Sequence, residues 1–469
     1  MSAERESVSS RLSFIIVSVS CAVGLGNIWL MPYRAGMYGG ALYIFMVFGF
    51  IFLLSLPVLL CEYAVGRGSK KSLSMHYQVL QPKGTKWHWA GYFCFPGQYI
   101  LLMFFAVVCG IAVHYVRMGI TGQLIGASPA EVAGAFTAIT GSAGALYGAT
   151  VFVILLGMFF CYLGLNKGVE RVAKYMMGMF FVIILILLAR GLTLPGAYQG
   201  LAFLFIPNLD AMREHGTFRI IHMALGQSLF SLSVGIGGMA VFGSYFPKDK
   251  RLFREASTVA IVDTTVILLC LLMIFPAAFA FGISPGIGEG LLFVTLPNLF
   301  NAMPASYLWA LLFYLGLFFV AFSTVVGILE AVVGMSMDKF GWTRKKAAAV
   351  NAAILVVLMM PGSFGRNIWI ETLGFVRAIG FPHFGPFLTF LLMEIVLPIG
   401  ALMYIMFCTS KRGWTWDNFF KEVNTGTEGW LLPAGVRFWM TYVLPIAIIF
   451  LFIFGQVQRW ILSPMGIVI

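Results

Sequence analysis

Two heptapeptides in this chain place chemistry where an apolar span should have none. SCAVGLG (Ser20 to Gly26) is followed at once by Asn27 and then Pro32, and SLSVGIG (Ser231 to Gly237) repeats its pattern S-x-x-V-G-x-G. Paired glycines lower helix stability and let the backbone open. An open segment in hydrocarbon leaves carbonyls and amides without partners, which is tolerable only where protein, water or a bound ligand satisfies them. The broken ends then present partial charges of both signs near the bilayer centre. Close helix packing through small residues would explain either stretch alone. The matched pair points instead to backbone opened to bind an ion and a solute. Asp263 adds an acid inside a third apolar run, where such a group is costly and usually functional. It stands about 13 Å along a helix from Arg254, deep for an acid that merely marks a cytoplasmic end.

The elements that must position these groups are membrane helices. The chain is 60% hydrophobic and 10% charged over 469 residues, the composition of a polytopic membrane protein. The reading is all-α with 11 transmembrane helices, near 11–37, 41–66, 88–125, 147–164, 169–190, 217–245, 252–282, 305–338, 344–361, 382–409 and 435–460. The two glycine motifs lie mid-span and five helices apart, an odd number, so they run in opposite membrane directions. That predicts a 5+5 inverted repeat with discontinuous helices 1 and 6 in a single domain over 1–469: repeat one about 11–190, repeat two about 217–409, and an extra helix about 435–460. Long connections at 126–146, 191–216 and 283–304, the last including EGLLFVTLPNLF from Glu289, are expected to fold over the outer mouth.

Charge placement orients the chain. The N-terminal tail and the loops around 67–86, 167–174, 248–254, 339–346 and 411–421 carry most of the 30 Lys and Arg, which puts the N-terminus inside and the C-terminus outside. The net charge of +12 therefore reads as membrane topology and not as nucleic-acid binding. No cleavable signal peptide is apparent. The seven cysteines have no metal or disulfide spacing, the six histidines are dispersed, and neither a GxxxxGK loop nor an HExxH motif occurs. No acid–base cluster suited to an enzyme is visible.

RLSFIIVSVSCAVGLGNIWLMPYRAGMYGG, LPVLLCEYAVGR, GQSLFSLSVGIGGM and, more loosely, AFSTVVGILE resemble the neurotransmitter:sodium symporter family, bacterial branch, over nearly the whole chain. The resemblance implies a sodium site 1 from the Ala22 carbonyl, Asn27, Ser231 and Asp263. A sodium site 2 would use the carbonyls of Ser20, Val23 and Val320 with the hydroxyls of Ser323 and Thr324, which in another context would simply bond back to their own helix. The implied substrate site comprises Ala22, Leu25, Gly26, Leu101, Phe105, Phe230, Ser231, Ser233, Ile236 and Ile328. Its apolar lining suits a small amine-bearing hydrophobic solute. Arg5, Ser244, Tyr245 and Asp338 resemble the cytoplasmic gate, with Val8 where a tryptophan is usual. Glu62 resembles a buried structural acid. Asp263 stands where the better-known family pattern has asparagine and animal relatives rely on a nearby chloride, and it resembles bacterial members with a carboxylate there, so sodium (Na+) coupling without chloride is implied, with proton antiport open.

Three positions depart from the family pattern. Phe105 replaces the tyrosine that grips a substrate carboxylate, Leu30 replaces the outer-gate arginine, and residues 382–391 hold no acid to partner it. An apolar outer closure is the expectation. Amine carriers of the animal branch have an aspartate at Gly24, whereas Phe105 removes a carboxylate donor, and the two arguments point opposite ways. The implied function is sodium-coupled symport of a small hydrophobic amino acid in the bacterial cytoplasmic (inner) membrane. The alternatives are a transporter of a decarboxylated amine, or a channel or substrate sensor on the same fold. The oligomeric state is not legible.

Overall fold

A computed structural model describes residues 9–282 and 290–462. Helices α1 (Arg11–Ala22) and α2 (Gly26–Met37) are together long and apolar enough to span a membrane, and they meet at 51°. α3 (Ala41–Ser69), α4 (His88–Thr121), α5 (Ala143–Tyr162) and α6 (Leu165–Leu192) follow. α7 (Thr217–Ser231) and α8 (Gly238–Tyr245) are separated by six non-helical residues. α9 (Leu252–Ala280), α10 (Ser306–Phe340), α11 (Arg344–Phe364), α12 (Phe384–Thr409) and α13 (Val436–Ile461) complete the bundle. Among the described residues, nine helices are long and apolar enough to cross a membrane unbroken, and the bent α1–α2 pair makes ten.

The packing repeats when the first five spans are exchanged for the next five. α3 packs on α8, and its counterpart α9 packs on α1 and α2. α6 packs on α9 and α10, while α12 packs on α3 and α4. α4 meets α10 and α5 meets α11 across the two halves. α4 and α10 form the centre, with 72% of their apolar windows buried, whereas α13 lies at the edge with 33%. Wider π-type turns precede Pro32, Pro57, Pro398 and Pro445, where the missing amide and the ring disfavour a regular α-turn. Of the connecting segments, helix Leu291–Asn301 packs near Pro129–Gly141, and Asn301 Nδ2 donates to the Leu124 carbonyl at 2.8 Å. Glu289 lies outside the described residues.

Candidate functional site

The two glycine motifs break their helices by different means. In the second, Gly235 and Gly237 have φ of +104° and +76°, and Ser233 has +51°, conformations that end an α-helix. A Cβ on Gly235 would run into the Leu397 carbonyl oxygen. In the first motif the glycines make room: a Cβ on Gly24 would meet Thr324 Oγ1 at 2.8 Å and Phe105 at 3.0 Å, and one on Gly26 would meet Phe230 at 2.9 Å.

The exposed backbone of the second break is satisfied from neighbouring spans. Glu62 Oε1 accepts from the Gly235 amide at 2.6 Å and the Gly237 amide at 3.3 Å, and Gln98 Nε2 donates to the Ile236 carbonyl at 2.8 Å. Glu62 thus does for this segment what the preceding turn of a helix would have done. Gln227 Nε2 reaches back to the Gly26 carbonyl at 3.1 Å, and Ser233 Oγ to the Cys21 carbonyl at 2.9 Å, tying the two breaks together. Among the described residues, the amides of Leu25 and Gly26 have no hydrogen-bond partner.

Around these breaks the oxygen groups gather in two places. Asn27 Nδ2 donates to Asp263 Oδ1 at 2.6 Å, Ser231 Oγ lies 2.5 Å from Asp263 Oδ2, and Ser231 Oγ is 3.3 Å from Asn27 Oδ1; all three residues are buried. This places Asp263 in the interior between both breaks and not at the end of a helix. Ala22, at the end of α1, is buried beside them in sequence. In the second place, Thr324 Oγ1 lies 3.0 Å from the Ser20 carbonyl, 3.1 Å from that of Val23 and 3.0 Å from that of Val320. Ser323 Oγ is 3.0 Å from the Val320 carbonyl and 3.5 Å from Met177 Sδ. Phe105, against Gly24, and Phe230, against Gly26, stack with centroids 5.7 Å apart, and Leu25, Leu101, Ile236 and Ile328 are buried.

A sequence model of the Sodium:neurotransmitter symporter family matches residues 5–132 and 135–462. The chain belongs to that family. Symporter relatives include the "Uncharacterized sodium-dependent transporter YhdH" of Bacillus subtilis, 29% identical and covering 95% of this chain and 96% of that protein. The "Uncharacterized sodium-dependent transporter MJ1319" of Methanocaldococcus jannaschii is 29% identical over 96% of this chain and 90% of its own. The crystal structure of MhsT in complex with L-phenylalanine superposes with a TM-score of 0.86 at 32% identity, covering 96% of this chain and all of that one.

The end of this symporter where α1 begins holds more charge than its gate motif announces. Arg5 and Val8 lie outside the described residues. Asp338 accepts from the Ser72 amide at 2.6 Å and lies 3.4 Å from Lys71 Nζ. Tyr245 Oη donates to Glu330 at 2.8 Å, and Arg344 grips the same carboxylate at 2.7 and 3.0 Å. Ser244 bonds back to the Val241 carbonyl. The start of α1 is tied down twice: Ser9 and Ser13 hydroxyls donate to Glu170 on α6, and Arg11 pairs with Glu255 on α9 at 2.8 Å. Glu170, Glu255, Glu330 and Arg344 were not picked out from sequence, because charges near basic loops read as topology.

Beside Leu30 the wall is apolar at Trp29, Phe381, Pro386 and Phe390, but charged groups stand next to these residues. Leu30 borders a cavity of about 370 Å³ also lined by Arg34, Arg219, Glu394 and Arg459. Glu394 stands three residues past the acid-free stretch 382–391, and Arg34 four residues past Leu30. Arg459 of α13 holds the Glu394 carboxylate at 2.6 and 3.1 Å. The signal that would have found them is simple: both Arg34 and Glu394 are ionisable groups inside apolar spans.

Proposed function

We propose that this protein imports a small hydrophobic amino acid together with sodium by alternating access, using eleven spans arranged as two inverted sets of five plus α13. One observation carries the reading: Asn27, Ser231 and Asp263, from two broken helices and a third span, converge as hard oxygen donors at a buried point. Such donors fit a sodium ion, and the Asp263 charge balances it without chloride. The cluster of Ser20, Val23 and Val320 carbonyls with Ser323 and Thr324 is the second sodium site, its carbonyls all within hydrogen-bond reach of the Thr324 hydroxyl. Sodium held at the second cluster, between the broken helix α1 and α10, favours the conformer that binds it more tightly, which in this reading is the one open to the outside. The cytoplasmic membrane, with the N-terminus inside and the C-terminus outside, is the location that the basic loops favour.

The free amides of Leu25 and Gly26 suit a carboxylate, the Ala22 carbonyl an ammonium, and the Phe105–Phe230 wall an apolar side chain. MhsT, seen with L-phenylalanine, supports a solute of that kind. The absent hydroxyl at Phe105 favours a second reading, a decarboxylated amine. Against it, Gly24 has no room for the acid that amine carriers place there. Uptake of labelled phenylalanine, leucine and phenethylamine into proteoliposomes under an inward sodium gradient decides between them. Amino-acid uptake that collapses in choline supports the primary reading, amine uptake alone supports the second, and currents far above carrier turnover would indicate a channel.

A further inference from the structure

The cavity beyond Leu30 adjoins a second one of about 360 Å³, and the two share Arg219, Met223, Glu394 and Arg459. Their walls carry three guanidinium groups, from Arg34, Arg219 and Arg459, and a single carboxylate, Glu394. Arg459 occupies that carboxylate with two hydrogen bonds, and His222 crowds it at 3.5 Å. Arg34 also feels the Glu394 charge and the Tyr43 phenol, so one carboxylate is shared among three guanidinium groups and positive charge is left in excess. Arg34 is only 8% exposed, and its one hydrogen bond to backbone is a long 3.5 Å contact with the Met223 carbonyl, beside the Tyr43 phenol. Arg219 is half-buried. The C-terminal end of α2, near Arg34, offsets only about half of one charge. Cations held away from water in excess of their counter-ions are costly.

An independent observation marks the same cavity. The indole Nε1 of Trp29, which borders it, is a buried donor with no acceptor, and Trp29 is 3% exposed. Surplus cations and an orphaned N–H donor want one thing, a compact acceptor carrying negative charge.

We propose that the vestibule beyond Leu30 binds a small monovalent anion, a halide or a carboxylate, between Arg34, Arg219 and the Trp29 indole. The site is separate from both oxygen clusters and does not depend on how those are read. A halide would reside there as a free ion, whereas a carboxylate would come from a solute on its way inward.

The test follows the melting temperature of the purified protein at fixed sodium. Chloride or acetate is titrated in, with ionic strength held by a bulky sulfonate. A saturable rise on the order of a few degrees is expected. It should be lost in R34Q and weakened in R219Q, the second variant being half-exposed and so less prone to misfold, and it should persist in R34K. Saturation by both anions assigns a general anion site, and saturation by acetate alone assigns a carboxylate site. The proposal is overturned if neither anion gives a saturable rise, or if the rise is unchanged in R34Q and R219Q. The sodium-dependent shift, recorded in the same samples, should survive all three substitutions, so failure of the anion site is distinguishable from failure of the sodium reading.

Discussion

Asn27 and Asp263 meet at 2.6 Å although 236 residues separate them, and each is buried in a span that could have been wholly apolar. Each removes the other's cost: the amide satisfies one carboxylate oxygen, and Ser231 satisfies the other. The Asp263 charge then sits within contact distance of the place assigned to sodium. Asp263→Asn removes that charge with little change of shape. The sodium concentration giving half-maximal solute binding should rise at least about tenfold in chloride-free medium, and chloride should partly restore it. The wild type should show the same sodium midpoint in either medium. A wild-type midpoint that moves with chloride would contradict the role given to Asp263.

Thr324 Oγ1 lies within 3.1 Å of three carbonyls from both sides of the second cluster, and its single O–H donates to one of them at a time. Thr324→Val keeps the shape and removes the oxygen, so the carbonyl that takes this hydrogen loses its donor. The sodium Hill coefficient should fall from about two toward one. Stability without sodium should drop by about 1–3 kcal/mol, the cost of buried polar groups left unpaired. An unaltered Hill coefficient would remove Thr324 from the sodium path.

At Phe105 the missing phenol can be put back. Phe105→Tyr should tighten binding of phenylalanine by about tenfold or more, since a hydrogen bond to a charged group contributes about 1.5–3 kcal/mol. Binding of phenethylamine should stay the same. Equal gains for both compounds would show that no carboxylate lies near this ring.

Glu330 is fully buried and held by Arg344 and Tyr245, joining α8 to α10 and α11. Glu330→Leu strands the guanidinium and should cost about 3–5 kcal/mol, whereas Glu330→Leu with Arg344→Met should recover most of it. Denaturation in detergent measures both. A double variant as unstable as the single one would show that the pair is not what stabilises this end.

Asn27 and Asp263 were legible because an amide and an acid stand out in apolar runs, and the repeated heptapeptide announces the break. Ser231, Ser323 and Thr324 came only through the family resemblance, because hydroxyls in a span usually bond back to their own helix. What each glycine is for was not legible: Gly235 needs a positive φ, but Gly24 is small because Thr324 and Phe105, far away in sequence, press against it. Charged residues at helix ends were harder still. Glu170 and Glu255 look like ordinary loop-flanking acids until the fold sets Ser13 and Arg11 against them. Arg34 and Glu394 lie four and three residues beyond Leu30 and 382–391, the positions where the family pattern places its gate, so that pattern does not point to them.

The central claim is that solute binding requires sodium held by Asn27, Ser231 and Asp263. The most direct measurement is equilibrium binding of labelled L-phenylalanine to purified protein in sodium and in choline, for the wild type and for Asn27→Ala. The account predicts saturable binding in sodium only, steepening with sodium concentration, and a large loss in the variant. Equal binding in choline, or an Asn27→Ala protein with an unchanged sodium midpoint, would contradict it.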